Sequence, residues 1–206
     1  MNYQNILATN QNGISTITIN RPKQLNALNK LTINELHHAI TTAQSNDTVR
    51  VLILTGEGEK AFIAGADIKE FAGFSQQEGE KLSSEGHDKL FNLVENLSKP
   101  VISAINGFAL GGGLELAMAS HIRIAAESAK LGLPEVGLGV IPGYGGTQRL
   151  AQITGKGKAM ELIMTANMIN AQEALKIGLV NHVVPLSELK DFSIKMASRI
   201  MRNSPM

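Results

Sequence analysis

Three observations predict an α/β fold. β-rich runs recur in pairs ahead of stretches with helical spacing, so strand, strand, helix is followed by the same order again. Residues 49–55 and 100–105 are largely apolar and of strand length, each closed by a glycine-containing turn, and 49–55 reads as a buried strand. Leu36, Ala39, Ile40 and Ala43 stand at i, i+3, i+4 and i+7, one face of a helix. No residue-level repeat is strong enough to indicate an array.

The elements follow in order. Residues 6–9 and 14–19 are β-rich and flank Asn10-Gln11-Asn12-Gly13, which reads as a hairpin ended by Arg21-Pro22. A helical pattern builds from Leu25, with Thr32 and Glu35 at the spacing of a capping box. The strand over 49–55 stops at Gly56, and a short strand over 61–64 breaks at Gly65-Ala66-Asp67. Residues 75–98 predict one long helix with Leu82, Leu90, Leu93, Val94 and Leu97 on a face, weakened early by Gly79 and Gly86. After the strand over 100–105 come a strand at 122–125 and a glycine-rich irregular region at 131–146. Helices are expected at 147–153, 159–165 and 171–177, a strand at 179–184 and a helix at 187–202.

Composition narrows the class. A chain of 206 residues with 43% apolar content can build one full core. Its 18% charged residues are few for a lone solvated surface, which is compatible with some burial in an oligomer. A formal charge of +1 without long basic runs argues against general nucleic-acid binding. With no cysteine, disulfides, zinc–thiolate sites and thiol nucleophiles are excluded. Neither a signal peptide nor a run near the ~20 apolar residues of a membrane span is found, so a soluble cytoplasmic protein is expected.

The stretch from Gly107 to Met118 carries the strongest chemical signal. Gly111, Gly112 and Gly113 sit where a strand hands over to a helix, so the backbone can approach a ligand closely. The first N–H groups of a helix lack intrahelical partners and can face a negative atom. Glu115 falls in that helix's first turn. On these residues alone, an anion site beside a carboxylate stands level with tight helix–strand packing in which Glu115 merely complements the dipole. Other motifs fail: Gly137-Leu138-Gly139 lacks the third glycine of a dinucleotide fingerprint, and neither Gly-Lys pair is set in a Walker loop. The five histidines form no ligand-spaced set, and Gly-x-Ser-x-Gly is absent.

Phe62 through Glu70, Asn106 through Glu115, Leu133 through Gly139 and Ile141 through Leu150 together resemble the enoyl-CoA hydratase (crotonase) family. Asn20-Arg21-Pro22-Lys23 through Asn26-Ala27-Leu28 is similar to the family's opening segment. The blocks occur in the family's order, and the likeness runs from about residue 3 to the end of the chain.

This resemblance implies a spiral of ββα units in a single domain over residues 1–206. The core would span about 1–185, and 186–206 would begin a C-terminal helical region that is shortened relative to the family. It implies homotrimers or dimers of trimers, an acyl-CoA thioester substrate and no metal or redox cofactor; the near-neutral charge and the lack of a long apolar run add the expectation of no nucleic-acid or membrane partner. The backbone N–H groups of Ala66 and Gly112 would form an oxyanion hole. Ala64, Gly65, Ala66, Asp67, Ile68 and Lys69, with Gly112, would hold the CoA portion and thioester, mainly through backbone groups, with Lys69 near phosphate.

The hydratases of the family carry two glutamates, which match Glu115 and Glu135. By its surroundings alone Glu135, after Pro134 and before a glycine-rich loop, reads as an exposed loop carboxylate. The resemblance instead makes it the proton donor and acceptor at C2, with Glu115 orienting and deprotonating water. An enoyl-CoA hydratase is therefore expected, ahead of an isomerase of the same fold or a catalytically silent acyl-CoA-binding subunit. His121 stands where many relatives carry Asp, a difference expected to be structural.

Overall fold

The computed structural model describes residues 3–70, 73 and 75–205. A hairpin opens the chain: β1 (Ile6–Gln11) and β2 (Ile14–Ile19) pair antiparallel about Asn12 and Gly13. Both turn residues have positive φ, 51° and 80°, the twist that a two-residue hairpin requires. Helix α1 (Lys30–Ser45) follows, then β3 (Val51–Gly56) and β4 (Ala61–Ile63). A helical run comprises α2 (Gln76–Gly86), a π-helical turn (His87–Phe91) and α3 (Asn92–Glu95). Next come β5 (Val101–Ile105), β6 (Phe108–Leu110), α4 (Gly112–Ala119), β7 (Ile122–Ala126) and β8 (Lys130–Gly132). The chain continues through α5 (Gly146–Thr154), α6 (Lys156–Thr165), β9 (Ile169–Asn170), α7 (Ala171–Lys176), β10 (His182–Val184) and α8 (Leu186–Met201).

Two sheets result. The larger has the order β1-β2-β3-β5-β7-β10 and is parallel from β2 onward; the smaller, β4-β6-β8-β9, is parallel except for β8 with β9. Strand alternation sends successive side chains of β3 to opposite faces of the larger sheet. Val51 and Ile53 join Ile102, Ala104, Ile124 and Ala126 beneath Leu189 and Ala197 of α8. Leu52 and Leu54 join Leu36, Ile40 and Val94 in the main core. A sheet covered on both faces explains why these strands are apolar throughout.

The α/β class expected from the sequence is observed, with several local differences. The capping box at Thr32 and Glu35 does not form. Asn29 is the N-cap and accepts from Thr32 N, while the Glu35 carboxylate accepts from Gln4 N and Asn5 N. The long helix over 75–98 is interrupted by the π turn and ends at Glu95; its real capping box joins Ser75 to Glu78. The strand expected at 179–184 starts only at His182. Strands β6, β8 and β9 were not anticipated.

The small sheet matters most for chemistry. β4 and β6 run parallel and side by side, so the segments leaving their C-terminal ends, residues 64–67 and 111–112, emerge together. β8 pairs on the other side of β6 and leads toward Glu135. Ligand sites of parallel sheets lie at this end of the strands.

Candidate active site

Beyond β4, residue 66 forms an isolated parallel bridge with Leu28. Leu28 N donates to Gly65 O at 2.9 Å and Asp67 N donates to Leu28 O at 2.7 Å. In this pattern Ala66 turns its own N–H away from Leu28, and that N–H has no acceptor among the described residues. Arg21 braces the loop: its Nη2 meets Asp67 Oδ2 at 2.9 Å and its Nη1 donates to Ala27 O. The side chain of Asp67 is thereby committed to the protein. Ala64 N donates to Leu25 O, Ile68–Glu70 forms a 3₁₀ turn, and Lys69 is exposed with no ion pair among the described residues.

Gly111 joins β6 to α4 at φ 50° and ψ −124°, a backbone state open to glycine and strained for other residues. Its N–H donates to Gly132 O, and its carbonyl accepts from Glu115 N at 2.9 Å, closing the first turn of α4. The N–H of Gly112 has no acceptor among the described residues. A Cβ placed on Gly112 would lie 3.8 Å from Ala66 N, which puts the two unpartnered amides beside each other. These are the two amides that the family resemblance names as an oxyanion hole, and they leave the ends of two adjacent strands.

Both glutamates come to it. Glu135 opens a 3₁₀ turn (Glu135–Leu138), and a Cβ on Gly111 would stand 2.7 Å from its Oε1. Its Oε2 is buried without a hydrogen-bond partner among the described residues. Burial pushes the Glu135 carboxyl above the usual carboxylate range. The exposed loop carboxylate suggested by the local sequence is thus not observed.

Glu115 is 1% exposed. Its Oε1 accepts from Tyr144 N and Gly146 N, both at 2.8 Å, at the N-terminus of α5. Burial pushes the Glu115 carboxyl up to about 7. The Gly146 and Tyr144 amides and the Arg149 cation pull it down, while the Glu135 charge adds to the rise. Two carboxyl groups that protonate above their ordinary range, beside a pair of open amides, can hold and move protons near neutral pH.

The residues that hold Glu115 in place were missed by sequence reasoning. Tyr144 stacks on Phe91 at 4.4 Å and 7°, and its Cδ2 would lie 3.4 Å from a Cβ on Gly112. Burial pushes its hydroxyl up to about 12. Arg149, 5% exposed, donates from Nη1 to Tyr144 O at 2.6 Å and pairs through Nη2 with Glu95 Oε2 at 2.6 Å. An arginine one turn into an ordinary helix gives no sequence signal of such a role. His121 acts structurally, its Nδ1 accepting from Val101 N at 2.9 Å. Among the described residues, no three His, Asp or Glu side chains gather as a metal site, and no helix is long and apolar enough to cross a membrane.

Known proteins resemble this chain over nearly its whole length. The family described as enoyl-CoA hydratase/isomerase matches residues 9–206. The chain is 49% identical to a short-chain-enoyl-CoA hydratase of Clostridium acetobutylicum, over 100% of this chain and 78% of that protein. It is 50% identical to a crotonyl-CoA hydratase of Syntrophomonas wolfei, over 98% and 77%. The crystal structure of an enoyl-CoA hydratase from Bacillus anthracis superposes with a TM-score of 0.94 at 47% identity, covering 98% of this chain and 78% of that one.

Proposed function

This chain belongs to the enoyl-CoA hydratase/isomerase family, and we infer that it is an enoyl-CoA hydratase, a hydro-lyase that adds water reversibly to a trans-2-enoyl-CoA. The observation that carries the mechanism is the convergence of two open amides, the buried Glu115 carboxyl and the half-buried Glu135 carboxyl on the C-terminal ends of β4 and β6. The thioester carbonyl accepts from Ala66 N–H and Gly112 N–H. Water attack at C3 drives negative charge onto that oxygen, and the fixed donors stabilise it without reorganising. Glu115, clamped by two amides, orients the water and takes its proton. Glu135 delivers a proton to C2, a role that suits a carboxyl whose burial favours the protonated form. In the reverse direction the two exchange tasks.

The loop over 64–69 supports the CoA portion through backbone groups, and the exposed Lys69 ammonium suits a phosphate. The reaction as proposed uses no metal or redox cofactor, because CoA enters with the substrate. Retention of two carboxyl groups favours hydration over isomerisation, which needs one base and no activated water. A homotrimer or dimer of trimers in the cytoplasm, acting in fatty-acid oxidation or short-chain 3-hydroxybutyryl-CoA dehydration, completes the reading.

Loss of the ultraviolet band of the enoyl thioester on adding protein to crotonyl-CoA tests it. The wild-type chain should turn over, and Glu135→Gln should lose about two to four orders of magnitude in kcat. Binding of acetoacetyl-CoA without any turnover by the wild type would instead identify a silent acyl-CoA-binding subunit.

A further inference from the structure

Glu115 does not meet its clamp by chance of local sequence. The amides that hold it belong to residues 144 and 146, in a turn that lies nearly thirty positions further along the chain. That turn is fixed from behind. Arg149 Nη1 donates to Tyr144 O, across the same residue whose N–H donates to Glu115. Gly145 has φ 89° and no side chain, and a Cβ there would stand 2.2 Å from Arg149 Nη1, so the guanidinium lies directly on the turn's backbone. Arg149 is itself anchored to the helical run by Glu95 at 2.6 Å and Asn92 at 3.3 Å. The π turn immediately before Asn92 carries Phe91, which stacks on Tyr144. Ser83 Oγ adds a hydrogen bond to Gly143 O at 2.6 Å.

We propose that Arg149 and Glu95 form a positioning pair for the water-activating carboxylate. Arg149 sets the amide clamp through Tyr144 O and supplies a buried positive charge behind Glu115, and Glu95 meters that charge. This rests on the reading of Glu115 given above.

The charged and titratable groups around Glu115 are few. Glu135 faces it from its 3₁₀ turn, Tyr144 from the loop and Arg149 from α5, while Glu95 acts on it through Arg149. His87 lies behind Gly145, where a Cβ would meet its Cε1 at 2.8 Å. Arg149 is therefore the cation that acts on Glu115, and it favours the ionised form. Removing that cation should move the acid limb of the hydration profile to higher pH. Removing the Glu95 charge leaves Arg149 uncompensated and should move the limb the other way. A residue that only held the fold together would not produce opposite displacements.

The experiment is the pH dependence of kcat/KM for crotonyl-CoA in the wild type, Arg149→Gln, Arg149→Lys, Glu95→Gln and Glu115→Gln. Arg149→Gln should raise the acid limb by about one pH unit and lose roughly tenfold on that limb, with partial recovery at high pH. Arg149→Lys should keep the limb near its wild-type position while lowering kcat, because an ammonium lacks the planar fork that reaches both Tyr144 O and Glu95. Glu95 is 42% exposed along its side chain, so Glu95→Gln tests the pair even if Arg149→Gln does not fold; its limb should fall. KM should change little in all three. An unmoved limb in Glu95→Gln, or limbs displaced in one direction by both charge-removing variants, overturns the proposal. If Glu115→Gln is inactive while the Arg149 and Glu95 variants match wild type, only this inference fails; if Glu115→Gln stays active, the reading of Glu115 fails first.

Discussion

The burial of Glu115 has a cost that can be measured without substrate. A carboxyl of the unfolded chain ionises near 4.5, whereas in the folded protein burial raises this group to about 7. Between those values the folded state keeps a proton that the unfolded state has released, and this favours folding. The contribution is complete below the unfolded value and is lost as pH rises through about 7. A span of roughly 2.5 pH units at about 1.4 kcal/mol each corresponds to about 3.5 kcal/mol in all, most of it falling between pH 4.5 and pH 8. Glu115→Gln preserves an oxygen for the Tyr144 and Gly146 amides and removes the titration. Its stability relative to wild type should therefore improve by about 3 kcal/mol between pH 4.5 and pH 8. Urea unfolding at the two pH values checks this; a constant difference would mean that the carboxyl does not titrate in that window.

At the scale of elements, the helical run from α2 to α3 shows how packing overrides propensity. Gly79 and Gly86 both weaken α2, and alanine at either should gain about 0.5–1 kcal/mol of helix propensity. A Cβ on Gly79 meets nothing within 4 Å, whereas one on Gly86 would stand 2.7 Å from Tyr144 Cε1. The Tyr144 ring cannot yield easily, with Phe91 stacked on one side and Gly112 packed near it. Gly79→Ala should raise the urea midpoint. Gly86→Ala should lower it, since overpacking costs about 1–3 kcal/mol, and should reduce hydration by disturbing the loop that clamps Glu115. Equal stabilisation by both would refute the close contact.

The same run marks what the sequence could reveal. Leu90 and Val94 on one face made a helix legible, but no local pattern encodes the π turn, whose Phe91 stacks on the distant Tyr144. Thr32 and Glu35 had the right types and spacing for a cap, yet the cap belongs to Asn29, and Glu35 serves the amides of residues 4 and 5. Strands β6, β8 and β9, of two or three residues each, exist through distant pairing and left no periodic trace. At the site, the glycines and Glu115 by themselves left an anion site level with tight helix–strand packing. Glu135 and the Ala66 amide were legible only through ordered resemblance, and Arg149 through neither.

For the molecule as a whole, the larger sheet is covered on both faces, but another surface is left uncovered. Leu138, Val140 and Ile141 are 60%, 49% and 71% exposed, just beyond Glu135. Helix α6 packs on the 3₁₀ turn that holds Leu138 and carries Met160 and Met164, at 45% and 65%, with Met168 at 54% beyond its end. Exposed apolar side chains so grouped are characteristic of surfaces that associate. Placed next to Glu135, this surface would tie subunit contact to the order of the loop that carries the proposed proton donor. Sedimentation velocity should find the wild type as a homotrimer or hexamer, not as a 22.0 kDa monomer. The pair Ile141→Lys and Met164→Lys would bury two ammonium groups at such a contact, a cost of several kcal/mol, so the double variant should dissociate with its circular dichroism intact. Its hydration activity should fall with dissociation. A wild-type monomer would refute assembly, and an assembled double variant would place the contact on a different face.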